Sequence, residues 1–166
     1  MSEAYTTIEE WKPKYSAWTT AWPVLMAVFM FALNETISNV ALANIAGALS
    51  ISMNESTWII TSYLMASGIA IALVGFMSKL LGRKNLLIWA VILFTVSSLL
   101  CSISQSMLMM IISRFFQGIG GGALLPLGQA IILEAFPQNE RQKAMAVFGL
   151  VFIIAPIIGP ILGGWI

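Results

Sequence analysis

Long apolar runs alternate with short polar interruptions over nearly the whole chain after residue 20. Five runs stand out, at about 21–42, 57–77, 86–103, 107–133 and 144–166. Each approaches or exceeds the roughly 18 residues that mark a helix able to cross a bilayer. The pattern predicts an all-α integral membrane protein, with five transmembrane helices after an N-terminal segment over 1–20. The third run is the shortest, and the fourth is long enough to tilt or to project past the bilayer. Polar connections fall at 50–56, 78–85, 104–106 and 134–143. Trp11, Tyr15, Trp18 and Trp22 crowd the entrance of the first helix, as an interfacial aromatic belt does.

Composition agrees with this reading. The chain is 59% hydrophobic and 9% charged, against about 25% charged in an ordinary globular domain. Its mean hydropathy is +0.91. Residues 1–20 are polar, with Glu3, Glu9 and Glu10, and carry no signal-peptide pattern. A single cysteine, Cys101, excludes an intrachain disulfide and disfavours a cysteine-built metal site. With no His and no Asp, metal-dependent or hydrolytic catalysis lacks its usual groups. The expectation is a protein that is not an enzyme, holds no metal and has no nucleic-acid partner.

The placement of the cations says more than their sum. Lys12 and Lys14 precede the first run, Lys79, Arg83 and Lys84 lie between the second and third, and Arg141 and Lys143 lie between the fourth and fifth. The other two connections carry none, so seven of eight basic residues fall on one side. The positive-inside rule makes that side the cytoplasm and puts the N-terminus inside.

The eighth cation, Arg114, sits seven residues into the fourth run, roughly 10 Å below the outer surface. A charge near the centre of a span is costly and usually faces a cavity or a partner. Gln117 shares its face, and Gly118, Gly121 and Gly122 follow, Gly118 and Gly122 forming a GxxxG pair. The alternative is that Arg114 snorkels to the outer interface. Glu35 is the second anomaly, about fourteen residues into the first run and at the same depth, with Asn39 one turn along and Asn34 and Ser38 adjacent. A carboxylate kept from water can take up and release a proton near neutral pH. The expectation is that Glu35 and Arg114 face one polar cavity and form a proton-sensitive pair. The alternative is that the first helix ends early and leaves Glu35 in the outer loop.

Two further stretches carry glycines that a simple anchor does not require. In GFMSKLLGRKNLL, residues 75–87, Gly75 and Gly82 bracket a cationic turn. In the last run, Gly149, Pro156, Gly159, Pro160, Gly163 and Gly164 interrupt an apolar sequence. Ala155, Gly159 and Gly163 recur every fourth residue, so they share a face that lets another backbone approach. The two prolines remove backbone donors and are expected to bend or loosen the helix.

Four stretches, in order, resemble the major facilitator superfamily, and within it the fourteen-helix drug:proton antiporter branch that includes the Emr-type multidrug exporters. NETISNVALANIAGAL (34–49) resembles the helix-one motif, GFMSKLLGRK the loop between helices two and three, RFFQGIGGGALLPLGQA the helix-four motif, and GLVFIIAPIIGPILGGW the antiporter motif of helix five. The resemblance covers nearly the whole chain after residue 20. It implies that Arg114, Gln117 and Gly118 serve proton coupling. It implies also that Gly75, Gly82, Arg83 and Lys84 form a cytoplasmic gating loop, and that Gly159, Pro160, Gly163 and Gly164 shape helix five. Lys79 stands where that loop usually has its acid, and Leu80 where it has an arginine. Asn34 stands where helix one usually has aspartate, with Glu35 one place later, and Ala43 replaces the motif's proline.

The resemblance implies the first five helices of a two-part bundle, three from one repeat and two from the next. The parent protein is expected to export drugs or other amphipathic or cationic molecules across the cytoplasmic (inner) membrane. It needs no cofactor, since the proton gradient supplies the energy, and its partners are lipid, a drug-like substrate and an optional periplasmic adaptor. The chain as given is expected to be a fragment that does not transport alone. The runner-up is a small five-helix membrane protein that binds or regulates a partner.

Overall fold

The computed structural model describes residues 16–163. Trp11, Lys12, Lys14, Tyr15 and Gly164 lie outside the described residues. Five helices account for most of the rest: α1 Ala17–Ala48, α2 Met53–Leu81, α3 Arg83–Ser102, α4 Met107–Ala135 and α5 Arg141–Gly163. All five are long and apolar enough to cross a membrane.

The helices overrun the apolar segments from which they are predicted, and local chemistry explains where each stops. α1 continues past residue 42 through the small, helix-favouring residues of ALANIAGA and ends where Ser50 takes a φ of 54°. Glu35 is therefore well inside α1, not in an outer loop. α2 begins four residues before 57 because Ser52 and Glu55 form a capping box: the Ser52 hydroxyl accepts from the Glu55 amide at 3.2 Å, and the Glu55 carboxylate accepts from the Ser52 amide at 2.8 Å. The connection expected over 78–85 shrinks to Gly82 alone, whose φ of 77° ends α2 and starts α3. Ser106 caps α4, its hydroxyl accepting from the Met109 amide at 3.3 Å. α5 stays helical without interruption through Pro156 and Pro160.

α4 is the axis of the bundle. It lies along both α2 and α3 and crosses α1, while α1 is the main neighbour of α5. α2 and α3, though joined by one residue, touch little, because α4 occupies the space between them. Its glycines make this possible. A Cβ at Gly118 would strike the Tyr63 carbonyl, and one at Gly122 would lie 2.5 Å from the Ser67 carbonyl oxygen, both on α2. A Cβ at Gly120, on the opposite side, would lie 2.8 Å from the Ala90 carbonyl oxygen and 2.8 Å from the Phe94 amide nitrogen of α3. Bare backbone on two faces lets one helix hold two neighbours at close range, which is where association in lipid finds its dispersion energy.

Two apolar clusters lie along this axis. One gathers Phe31, Tyr63, Phe94 and Leu124, the other Val24, Val28, Ile132, Phe136 and Phe148. Near the second, Trp18 meets the Phe136 ring edge-on at 5.0 Å. At the same end Arg83 forms an ion pair with Glu134, and Arg141 donates through Nε to the Phe136 carbonyl at 3.1 Å. The α2–α3 turn and the α4–α5 connection thus share one end of the bundle.

Candidate functional site

Position 114 of α4 is turned inward among α1, α2 and α3, and its arginine is only 8% exposed. The side chain does not snorkel. Its Nη2 donates to the Ser38 hydroxyl at 2.6 Å, and its Nη1 donates to the Gln117 side-chain oxygen at 2.9 Å and to that of Asn34 at 3.3 Å. The network runs on into α3, where Asn34 donates to the Ser98 hydroxyl at 3.4 Å and the Cys101 thiol lies 3.9 Å from the Gln117 oxygen. One guanidinium therefore ties α1 to α4, with α3 attached through amide side chains.

Glu35 and Arg114 do line one cavity, together with Ser38, Asn39, Ile59 and Tyr63. They do not form an ion pair among the described residues. The reason is the helical register. Asn34 and Ser38, one turn apart, present the face of α1 that meets Arg114. Glu35 and Asn39 lie about 100° round the helix, toward α2. The position where the resembling family carries its helix-one acid is the one in contact with the arginine, and here it is a neutral amide. The two groups thus share one cavity, as expected, without a direct ion pair, and neutral acceptors surround the guanidinium.

The cavity measures about 20 Å³. That admits a water-sized guest, which needs roughly 10–15 Å³, and excludes any drug. Three buried polar atoms border this region without a hydrogen-bond partner among the described residues: the Tyr63 hydroxyl, Arg114 Nε and Gln117 Nε2. On the far side of Arg114 a second, more open cavity of about 430 Å³ lies among α1, α3 and α4, bordered by Asn34, Ser98, Cys101 and Gln117. The arginine is the wall between the two.

The remaining site residues from the sequence lie elsewhere. Gly75, Lys79, Gly82, Arg83 and Lys84 gather at the α2–α3 turn, with Lys79 and Lys84 exposed and Arg83 paired to Glu134. On α5, Gly149 stands in open space, and Pro156 and Pro160 face outward. Ala155 is fully buried, and a Cβ at Gly159 would strike the Thr36 side chain, so this face packs on α1 next to Glu35. Gly163 is the last described residue of α5. Tyr63 and Ser98 are absent from the residues that the sequence singles out, and Cys101 enters there only as the lone cysteine, with no part in a site. Each is a polar group inside an apolar run, the same signal that marks Arg114, but weaker for an uncharged side chain.

With this geometry in view, residues 24–166 match the family model described as Major Facilitator Superfamily. The chain is 43% identical over 141 residues to the multidrug export protein EmrB of Escherichia coli (strain K12), covering 85% of this chain and 28% of that protein. It is 42% identical over 149 residues to the probable multidrug resistance protein EmrY of the same strain, covering 90% of this chain and 29% of that protein. It is 38% identical over 149 residues to the fatty acid resistance protein FarB of Neisseria gonorrhoeae, covering 88% and 29%. The chain thus spans less than a third of the length of the curated relatives it matches.

Proposed function

The chain belongs to the major facilitator superfamily, and from that premise we propose that it forms the first five helices of a proton-driven exporter of drugs or other amphipathic small molecules. The observation that carries the reading is Arg114, buried in a membrane span and bonded only to neutral acceptors, on the wall of a cavity that also holds Glu35. A desolvated cation and a carboxyl group sharing one small cavity can exchange stabilisation as the carboxyl gains or loses a proton. Glu35 is assigned the coupling proton, and Arg114 and Gln117 the electrostatic response that ties it to the packing of α1 on α4. The Gly159 face of α5 supports the α1 wall beside Glu35. The names of the relatives, given for multidrug and fatty acid resistance, support a small hydrophobic or amphipathic substrate.

The cavity beside Glu35 is too small for such a substrate, so its binding volume is assigned to the wider, open cavity on the far side of Arg114, completed by walls of the longer protein. The cationic end of the bundle, with Lys79, Arg83, Lys84, Arg141 and Lys143, is assigned to the cytoplasm by the positive-inside rule. There the α2–α3 turn is the proposed gate. The membrane is the cytoplasmic one, and a periplasmic adaptor is an optional partner. No cofactor enters this scheme.

The test is efflux of an amphipathic fluorescent dye from cells expressing the protein at its natural length. Efflux is expected to fall to background when a protonophore collapses the proton gradient at constant ATP. Efflux that persists under those conditions refutes proton drive.

A further inference from the structure

Tyr63, on α2, is only 4% exposed and lines the same small cavity as Glu35 and Arg114. Two glycines of α4 seat it. A Cβ at Gly118 would strike its backbone carbonyl, and one at Gly121 would lie 2.9 Å from its hydroxyl oxygen and 3.1 Å from the Phe31 ring. The hydroxyl therefore rests between bare α4 backbone and Phe31, which is one turn from Glu35 on the same face of α1. It lies within electrostatic reach of both the Glu35 carboxyl and the Arg114 guanidinium. A buried phenolic hydroxyl usually finds a hydrogen-bond partner, and this one has none among the described residues. Of the two charged groups at the cavity, Arg114 offers only donors and an ionised Glu35 only acceptors.

We propose that Tyr63 is a positioning residue for the coupling proton: across the water-sized space they share, its hydroxyl donates to the ionised Glu35 carboxylate and sets how readily Glu35 gives up its proton. This rests on the assignment of that proton to Glu35. A hydrogen bond to the charged carboxylate favours the charged form, so removing the hydroxyl makes Glu35 hold its proton to a higher pH. Because Tyr63 is seated on the α2–α4 seam, a shift of α2 along α4 moves this donor relative to the acid. Few other groups compete. α3 contributes Cys101, which sits behind Arg114 beside Gln117. The charged residues of α5, Arg141 and Lys143, stand at its far end. Glu55, eight residues before Tyr63 on α2, is held in its capping box with Ser52.

The experiment uses the protein at its natural length, reconstituted in lipid, with no substrate added. Infrared difference spectra follow the carbonyl stretch of protonated carboxyl groups as the pH is raised. The Glu35 band is the one that Glu35→Gln removes. In Tyr63→Phe, which keeps the ring, the midpoint of that band is expected to rise by about one pH unit, or about tenfold in proton affinity. Gly121→Ala, whose new Cβ displaces the hydroxyl without removing it, is expected to shift the midpoint the same way by a smaller amount. In the Tyr63→Phe background Gly121→Ala is expected to add nothing, since the group it acts through is gone. A midpoint in Tyr63→Phe that is unchanged or lower overturns the proposal, while the band's loss in Glu35→Gln still supports the proton site. An equal Gly121→Ala shift with and without the hydroxyl overturns the proposal as well, because it marks a packing effect. Spectra that Glu35→Gln leaves unaltered refute the proton assignment itself, and the role of Tyr63 falls with it.

Discussion

Replacing Arg114 with lysine is expected to lower dye efflux at least about tenfold, and replacing it with alanine is expected to abolish it. Lysine keeps the charge but loses the fork. The guanidinium reaches Ser38 and Asn34 on α1 with two nitrogens while holding Gln117 on its own helix. A single ammonium on a flexible stem cannot span these acceptors in one fixed geometry. Each hydrogen bond to a charged group contributes about 1.5–3 kcal/mol. Losing one or two from an element that the proposed cycle repacks is expected to move the rate by about one or more powers of ten. Alanine removes the cation altogether and leaves the side-chain oxygens of Ser38, Asn34 and Gln117 without their donor. The measurement is initial efflux rate normalised to protein in the membrane, with protein amount checked for both variants. Wild-type efflux in Arg114→Lys contradicts the bridging role.

Gly122→Leu is expected to be the most damaging single change to the fold. Even the first carbon of the new side chain would lie 2.5 Å from the Ser67 carbonyl oxygen and 2.7 Å from its Cα. Those atoms belong to a helix backbone and cannot swing aside. Overpacking a well-filled interior costs about 1–3 kcal/mol, and prying apart the α2–α4 seam lies at or beyond the upper end. The seam also sets the height at which Arg114 meets α1, so its loss displaces the network two turns away. Gly149→Leu is the control, since a Cβ there meets nothing within 4 Å. Its stability is expected to stay within about 0.5 kcal/mol of wild type. The measurement is the unfolding midpoint in detergent. A Gly122→Leu midpoint equal to that of Gly149→Leu contradicts the close approach.

The contrast between these two glycines shows what the sequence discloses. Both lie in apolar runs and both sit in stretches resembling family motifs. Only the neighbours, brought from a distant part of the chain, distinguish the one pressed on Ser67 of α2 from the one in open space. The helices themselves are legible, because a bilayer demands long apolar runs and leaves few alternatives. Their ends are less so. Hydropathy places the start of the second helix at 57, whereas the S-x-x-E capping box at Ser52–Glu55 extends it to Met53. That signal is in the sequence, but a polar turn hides it from a hydropathy window. Arg114 is legible as an anomaly because charge in lipid is costly. Its partners are not, because Asn34 and Glu35 are adjacent in sequence and only the rotation of α1 decides which faces the arginine. The choice of the neutral residue separates the acid from the cation without moving it out of their shared cavity.

That separation makes Glu35 the group on which the account depends. The most direct test is proton release on substrate binding, followed with a pH indicator in weakly buffered detergent solution, for the natural-length protein and its Glu35→Gln variant at saturating substrate. The wild type is expected to release about one proton per substrate bound as the Glu35 carboxyl ionises near Arg114. Glu35→Gln is expected still to bind substrate and to release none. Proton release unchanged in Glu35→Gln contradicts this role of Glu35.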